Sequence, residues 1–155
     1  MSVNPIPDGY HSVTPYLIVD DAEAALKFYR EALGAEEMVR LPMGGKIGHA
    51  EIRIGNSMVM LSDEWPDMGA LGPKTRGGAT SSFVLYVEDA DKAFDRAVKA
   101  GAKVDKPVEN QFWGDRMGSV TDPFGHKWSF GSHVEDVSPE EMKKRMDAWA
   151  SQQGG

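Results

Sequence analysis

His49 and Glu51 are the residues of this chain best suited to chemistry, and they lie two apart in one segment. From Gly48 to Ile54 the even-numbered residues are small or apolar and the odd-numbered residues are polar, which predicts a strand with one packed face. His49 and Glu51 then project from the other face, about 7 Å apart. A histidine beside a carboxylate could act as a general base. The alternative is a solvent-facing strand on which Glu51 and Arg53 form a weak surface pair.

A second group with chemical potential is Trp113, Asp115 and Arg116, which fall within four residues. An aromatic face, a carboxylate and a guanidinium fork together suit a small polar or planar ligand. The alternative is structural, with Trp113 packed at a dimer interface and Asp115 paired with Arg116 or Arg53.

Two tyrosines and a methionine complete the candidate ligand-binding residues. Tyr16 and Tyr86 occupy matching places in two predicted strands, where their hydroxyl groups would face a cavity; a sheet tyrosine bonded to external water is the alternative. Met60 is one of nine methionines, and methionine lines adaptable pockets but also fills ordinary cores. The remaining histidines lie at strand ends or turns, where we expect structural roles: His11, His126 and His133.

Composition excludes several classes of function. The chain of 155 residues has no cysteine, which excludes disulfides, thiolate metal sites and cysteine nucleophiles. A net charge of −7 argues against nucleic acid and favours neutral or cationic ligands, although acidity also simply keeps a protein soluble. No apolar run is long enough to span a membrane, and residues 1–11 lack the apolar region of a signal peptide. We therefore expect a cytoplasmic protein.

An internal repeat predicts how these residues are positioned. The segment Val19-Asp20-Asp21-Ala22 recurs as Val87-Glu88-Asp89-Ala90, and Gly34-Ala35 recurs as Gly101-Ala102 at nearly the same spacing. Two copies are too few for a solenoid. A duplicated unit more plausibly closes about a pseudo-twofold axis and leaves a cavity between its copies. At this spacing Asp115 is the counterpart of His49.

Each copy is predicted to form a strand, a helix and three further strands. Asp20 or Asp21 caps the first helix and Gly34 ends it. In the C-terminal helix, Ser138 is the cap and Pro139 the first residue. Residues 64–78 are either a loop across the mouth of the cavity or a plain linker. The predicted divisions are a first module at 11–63, a connecting loop at 64–78, a second module at 79–133 and a C-terminal helix at 138–149, in one domain over 1–155.

These motifs together resemble the vicinal oxygen chelate superfamily of glyoxalases, bleomycin and fosfomycin resistance proteins and extradiol dioxygenases. The residues that carry the resemblance are Val19-Asp20-Asp21-Ala22, Leu26-Lys27-Phe28-Tyr29, Leu33-Gly34-Ala35 and Thr121-Asp122-Pro123-Phe124-Gly125-His126. The motifs Gly48-His49-Ala50, Met60-Leu61-Ser62-Asp63 and Gln111-Phe112-Trp113-Gly114 resemble its PhnB-like branch in particular. The resemblance implies an α+β fold of two βαβββ modules, with sheets curled around a pocket and helices outside. It also implies a homodimer in which a partner module often completes the pocket.

The resemblance implies four metal-ligand positions, which in metal-using members usually hold histidine or glutamate. Carried across by motif, these positions are Thr14, Met60, Ser82 and Ser129 in this chain. Hydroxyl and thioether groups are poor ligands for hard or borderline divalent ions. We therefore expect no cofactor at this site, and a divalent metal elsewhere stays the less favoured alternative.

Fold resemblance alone does not determine the activity, because the superfamily contains lyases, dioxygenases, transferases and pure binders. The leading hypothesis is a metal-independent protein that binds or sequesters an aromatic or cationic small molecule. The alternative is a lyase or isomerase of the glyoxalase type, either with a metal at His49 and Glu51 or metal-free with His49 as the base. Whether the chain is an enzyme is left open by the sequence.

Overall fold

The computed structural model describes residues 2–154, so Met1 and Gly155 at the ends of the predicted domain lie outside the described residues. Two modules follow one another, each with a strand, a helix and three more strands. The first contains β1 (Tyr16–Val19), α1 (Ala22–Leu33), β2 (Glu36–Met43), β3 (Lys46–Ile54) and β4 (Ser57–Asp63). The second contains β5 (Ser82–Tyr86), α3 (Ala90–Ala100), β6 (Lys103–Asn110), β7 (Asp115–Thr121) and β8 (Lys127–His133). The segment between them holds a 3₁₀ turn (Pro66–Met68) and α2 (Pro73–Arg76), and α4 (Pro139–Gln153) ends the chain.

Each module forms its own four-stranded sheet. The strand orders are β1-β4-β3-β2 and β5-β8-β7-β6, so the two sheets have the same topology. In each sheet the first and last strands pair in parallel and the others pair antiparallel. The predicted α+β fold of two βαβββ modules is therefore confirmed.

Local capping explains where the helices begin and end. The Asp21 carboxylate accepts a hydrogen bond from the Ala24 N–H at 3.0 Å, which settles the choice between Asp20 and Asp21 as the cap. Gly34 ends α1 with a φ of 66°, a left-handed conformation that glycine adopts without a Cβ penalty. The Ser138 hydroxyl caps α4 by accepting from the Glu141 N–H, as its sequence predicts.

The first strand is shorter than its sequence predicts. The apolar, β-branched run from His11 to Val19 predicts a strand, but β1 begins at Tyr16. Pro15 has no N–H to donate, and its carbonyl oxygen accepts from the Met60 N–H at 2.9 Å. The chain before Pro15 leaves the edge of the sheet, and this places residues 2–15 in an irregular N-terminal segment.

The two modules pack through their helices and share one hydrophobic core. Buried Asp122 lies at this junction, where it accepts from the Tyr29 hydroxyl at 2.5 Å and from the Trp128 indole N–H at 2.9 Å. Arg96 of α3 donates to the carbonyl oxygens of Arg30 and Glu31 at the end of α1. These bonds fix the modules against each other from the helix side.

The other face of each sheet is left open. Along β5, Ser82, Val84 and Tyr86 are exposed while Phe83 and Leu85 pack against the core. On β3, Ala50 and Ile52 are buried beneath α1, as the predicted alternation requires. Within residues 2–154, no helix combines the length and apolarity needed to cross a membrane.

Candidate functional site

The open face of the first sheet carries Tyr16, Met60 and Glu51 in one row across three strands. Strand register places Met60 opposite Tyr16 on one side and opposite Glu51 on the other. Because residues opposite each other in a sheet share a face, the three side chains are neighbours. The predicted candidates Tyr16, Met60, His49 and Glu51 are thus brought together on one surface.

A chain of polar contacts links three of these residues. The Tyr16 hydroxyl lies 2.9 Å from Nδ1 of His49, and Nε2 of His49 lies 3.4 Å from a carboxylate oxygen of Glu51. Both ring nitrogens of His49 are therefore engaged, and the Tyr16 hydroxyl is at the outer end of the chain. Tyr16 is 47% exposed, whereas the side chains of His49 and Glu51 are largely covered.

Tyr10 of the N-terminal segment lies beside Glu51 on the same face, and no sequence motif pointed to it. Its hydroxyl oxygen is shielded from solvent and lies near the Glu51 carboxylate. Burial raises the pKa of Tyr10 to about 12, and the neighbouring Glu51 carboxylate adds to the shift. Tyr10 occurs in an irregular segment without periodicity, so only its tertiary position identifies it.

The open face of the second sheet holds a group centred on Asp115, which is 4% exposed. Asp115 accepts hydrogen bonds from the Tyr86 hydroxyl at 2.7 Å and the Trp113 indole N–H at 3.2 Å. His133 approaches it through Nδ1 at 2.8 Å, and the Nε2 of the same ring lies 2.8 Å from Asp136. The structure therefore joins three predicted ligand-binding residues and adds His133.

The charge state of this group follows from its contacts. Burial by itself raises the pKa of Asp115, but hydrogen bonds from His133, Tyr86 and Trp113 outweigh burial and hold it below its usual range. Hydrogen bonds to Asp115 and Asp136 raise the pKa of His133. Two carboxylate partners require both ring nitrogens to donate, so this geometry belongs to the protonated imidazole.

Arg116 lies away from these residues. Its guanidinium forms two hydrogen bonds with Asp91 of α3, at 2.7 and 2.8 Å, on the helix-covered side of the sheet. Because consecutive strand residues face opposite sides, Arg116 and Asp115 cannot both face a ligand on the open side. The structural alternative that paired Asp115 with Arg116 or Arg53 is not observed either, since Arg53 bonds Glu36.

A large cavity lies elsewhere in the described structure. It has a volume of about 680 Å³ between the end of α1, the β3–β4 turn, β5 and α3. Tyr86 is the only candidate residue in its lining. The hydrogen-bonded polar groups converge on the open faces and not in the lining of this cavity, so the open faces are the better candidate site.

The residues at the implied metal-ligand positions do not suit a divalent ion. Thr14, Met60 and Ser129 are partly buried and Ser82 is exposed, and hydroxyl and thioether groups bind such ions poorly. Among residues 2–154, no group of three or more histidine, aspartate or glutamate side chains converges as a metal-binding set.

Comparison with known proteins agrees with this architecture. A family model described as the glyoxalase/bleomycin resistance protein/dioxygenase superfamily matches residues 9–130. The chain belongs to this superfamily. The family resemblance expected from the sequence motifs is thereby confirmed, whereas its narrower PhnB-like assignment stays a prediction.

Individual relatives cover most of the chain. An uncharacterized protein of Mycobacterium bovis is 41% identical over 152 residues, which is 96% of this chain and 97% of that protein. The crystal structure of TioX from Micromonospora sp. ML1 is 28% identical, covers 80% of this chain and 99% of TioX, and has a TM-score of 0.64. A gene product of Arabidopsis thaliana with a solved structure is 27% identical, with a TM-score of 0.64 over 78% of this chain and 98% of that one.

Proposed function

We propose that this protein binds an aromatic or cationic small molecule on its open sheet faces without a metal ion. The observation that carries the proposal is the repeated pairing of an exposed tyrosine with a polar side chain, Tyr16 with His49 and Tyr86 with Asp115. These pairs stand on the faces where metal-using relatives are expected to hold their ion. Hydroxyl groups and carboxylates there provide hydrogen-bond acceptors for a ligand.

Aromatic and acidic groups define the ligand class. Tyr86 is 66% exposed and Trp113 is partly buried beside it at Asp115, so a planar ring can stack on apolar surface without displacing the core. The carboxylate of Glu51 favours a positive group, and the net charge of −7 acts in the same direction, whereas the charge of Asp115 is balanced by protonated His133. The superfamily is partly named for bleomycin resistance proteins, which is consistent with ligand binding.

A homodimer is part of the proposal. Both open faces leave large side chains exposed, including Tyr16, Val84 and Tyr86, and a second copy would cover them while enclosing the ligand. Sedimentation velocity tests this part, with a dimer as the expected species. The cytoplasmic location expected from the sequence stays a prediction.

A thermal shift and calorimetry screen tests binding. Protein purified without an affinity tag would be titrated with bleomycin and with planar aromatic cations such as acridine orange, after elemental analysis for Ni, Zn and Fe. We expect no stoichiometric metal and a raised Tm with at least one cation. Asp115→Asn and Trp113→Leu should weaken binding about tenfold or more. Asp67→Asn, which removes one exposed carboxylate outside the site, is the matched control.

The second candidate is a metal-free lyase or isomerase, and the chain of contacts from Tyr16 to Glu51 favours it. With Nε2–H directed at Glu51, Nδ1 of His49 is free to accept a proton from Tyr16. Tyr16 would then take a proton from the substrate as its own proton passes to Nδ1. His49 would be a positioning residue that acts through Tyr16, because neither of its nitrogens faces outward.

Kinetics separate the two candidates. An enzyme of this kind loses turnover in both Tyr16→Phe and His49→Gln while still binding its substrate. A pure binder shows no turnover in any variant, and Tyr16→Phe changes only its affinity. Stoichiometric metal together with turnover abolished by EDTA would contradict both proposals.

A further inference from the structure

The cavity at the boundary between the two modules has a counterpart related to it by the internal repeat. The cavity has a volume of about 680 Å³ and lies between α3, β5 and the β3–β4 turn. The helix caps Asp21 and Asp89 are 68 residues apart, and the turn glycines Gly55 and Gly125 are 70 residues apart. Exchanging the modules at these spacings gives the counterpart, which lies between α1, β1 and the β7–β8 turn. The two places can therefore be compared residue by residue.

Two aromatic rings fill the counterpart. Phe28 of α1 and Phe124 of the β7–β8 turn are both buried, and their ring centroids are 6.0 Å apart in an edge-to-face contact. The repeat places Arg96 at the position of Phe28 and Ile54 at the position of Phe124. Arg96 and Ile54 both line the cavity. Open space is thus found where the repeat replaces two packed rings with an arginine and a smaller aliphatic side chain.

The segment between the modules also covers the counterpart. Gly72 lies so close to β1 that a Cβ would be 2.9 Å from the Ile18 carbonyl oxygen. The same carbonyl oxygen lies 2.9 Å from Nε2 of His126, and Lys74 of α2 forms an ion pair with Asp20 at 2.9 Å. In the second module, residues 84–87 of β5 and its end line the cavity instead. The edge of β5 is therefore accessible to a ligand where the edge of β1 is covered by the chain itself.

The polar groups of the cavity lining give it a positive character. Nε and Nη2 of Arg96 donate to the carbonyl oxygens of Glu31 and Arg30, which holds the guanidinium in place. Nη1 of Arg96 has no hydrogen-bond partner among residues 2–154. Lys92 is a second cation of the lining. Asp89 is its only acid, and this carboxylate caps α3 by accepting from the Lys92 N–H at 3.0 Å. Two cations thus face one acid that is already engaged.

The rest of the lining is largely apolar. A cavity of this volume is within the range of small-molecule sites, which combine apolar walls with a few polar groups. Leu85 and Phe130 come from the second sheet, and further apolar side chains come from the two helices and the β3–β4 hairpin: Ala32, Leu33, Ile54 and Ala93. An apolar body can therefore be buried beside the Arg96 guanidinium.

We propose that this cavity is a second binding site, for a small molecule that joins an aromatic ring to a carboxylate. The ring would pack against Leu85 and Phe130, in space that corresponds to the aromatic pair of the counterpart. The carboxylate would accept charge-assisted hydrogen bonds from the planar guanidinium of Arg96, with Lys92 nearby. This site is separate from the open sheet faces, and its ligand has the opposite charge to the one proposed there.

Binding of 2-naphthoate and of its uncharged analogue 2-naphthamide to the full chain tests the proposal. In ¹⁵N NMR titrations we expect shifts at the amides of Asn56 and Val87, which line the cavity. The chain should bind 2-naphthoate about fivefold or more tightly than 2-naphthamide, and Arg96→Gln should remove that preference. Lys99→Gln, which removes an exposed cation of the same helix outside the lining, should leave both affinities unchanged.

A second variant fills the cavity without touching its charges. Ala93→Leu keeps the bonds from Arg96 to α1, so the junction between the modules is left intact, and it should weaken both ligands about tenfold or more. Equal affinity for the two ligands, a preference that survives Arg96→Gln, or unchanged binding in Ala93→Leu would overturn the inference. No detectable binding, or amide shifts confined to the open faces, would overturn it as well.

The outcome is independent of the proposed function. Acridine orange binding that requires Trp113 and Asp115, in a chain that does not discriminate 2-naphthoate from 2-naphthamide, would reject the second site and leave the proposed function standing. Selective 2-naphthoate binding that is unchanged in Asp115→Asn and Trp113→Leu would support the second site, even in a chain that binds no cation.

Discussion

Tyr86 donates its hydroxyl to the buried carboxylate of Asp115 at 2.7 Å, in the place where the first module sets Tyr16 against His49. Both modules thus have a contact between a tyrosine of the first strand and a residue two strands away, on β3 or β7. The partner of the tyrosine is an imidazole in the first module and a carboxylate in the second. A carboxylate partner forces Tyr86 to donate, whereas an imidazole partner can accept or donate. The second module therefore holds a fixed charge and the first holds a group that can exchange a proton.

Removal of the Tyr86 hydroxyl should destabilise the chain more than removal of the Tyr16 hydroxyl. Asp115 is buried and relies on three donors, so Tyr86→Phe should lower the free energy of unfolding by about 1–2 kcal/mol. Tyr16→Phe should cost less than about 1 kcal/mol, because water can reach the His49 ring in its place. Urea denaturation of both variants measures the difference. Equal losses, or a larger loss for Tyr16→Phe, would contradict this account of Asp115.

The group around His133 should make stability depend on pH. Hydrogen bonds to Asp115 and Asp136 raise the pKa of His133, so its contribution is fully present below the ordinary histidine pKa of about 6.5. The contribution is lost as the pH rises through the higher pKa of the folded state. The stability advantage of the unsubstituted chain over His133→Gln should therefore be greatest in mild acid and shrink above neutrality. Urea midpoints across that range test it, and an advantage that grows with pH would refute the assignment.

Sequence patterns predicted the fold well because they are local and repeated. Asp21, Gly34 and Ser138 act through neighbours within a few residues, so their roles can be read directly from the chain. Alternation in β3 likewise placed His49 and Glu51 on the open face. The same alternation rule places Arg116 and Asp115 on opposite faces, whereas their short spacing alone groups them.

Residues of the site that the sequence did not predict depend on distant contacts. Tyr10 reaches Glu51 from an irregular segment, and nothing in residues 2–15 has a period that marks a buried ring. His133 was expected to be structural, as single histidines at strand ends usually are. Only the pairing of β7 with β8 brings it opposite Asp115, and strand register is set by the whole sheet rather than by local sequence.

The stability of the junction between the two modules should depend on Asp122. Its Oδ1 accepts from the N–H groups of Phe124 and His126, and its Oδ2 accepts from Tyr29 and Trp128. Asp122→Ala leaves four donors without partners, three of them in buried hydrogen bonds, and we expect a loss of about 3–5 kcal/mol in unfolding free energy. Tyr29→Phe removes one donor and should cost about 1–2 kcal/mol. Chemical denaturation provides both values, and a loss for Asp122→Ala no larger than for Tyr29→Phe would show that the carboxylate is not the centre of the junction.

Gly114 should control the position of Trp113. Its φ is 100°, and a Cβ there would clash with the Glu135 carbonyl oxygen. The Gly114 carbonyl oxygen also accepts from the N–H groups of Val134 and Glu135, so the Trp113 loop and the segment before α4 are bound together. An added methyl group must push them apart, and Gly114→Ala should both destabilise the chain and move the Trp113 indole away from Asp115.

Gly44→Ala serves to separate the two unfavourable effects expected for Gly114→Ala, which are backbone strain and the clash with Glu135. Gly44 has a φ of 56° and open space where its Cβ would lie, so alanine there costs only the strain of a left-handed conformation, about 1 kcal/mol. Gly114→Ala should cost about 1–3 kcal/mol more, because the clash with Glu135 adds to the strain. Urea denaturation measures the difference, and acridine orange titration should show weaker binding for Gly114→Ala alone. Equal stability losses in the two variants would mean that the segment before α4 moves freely and does not hold Trp113 in place.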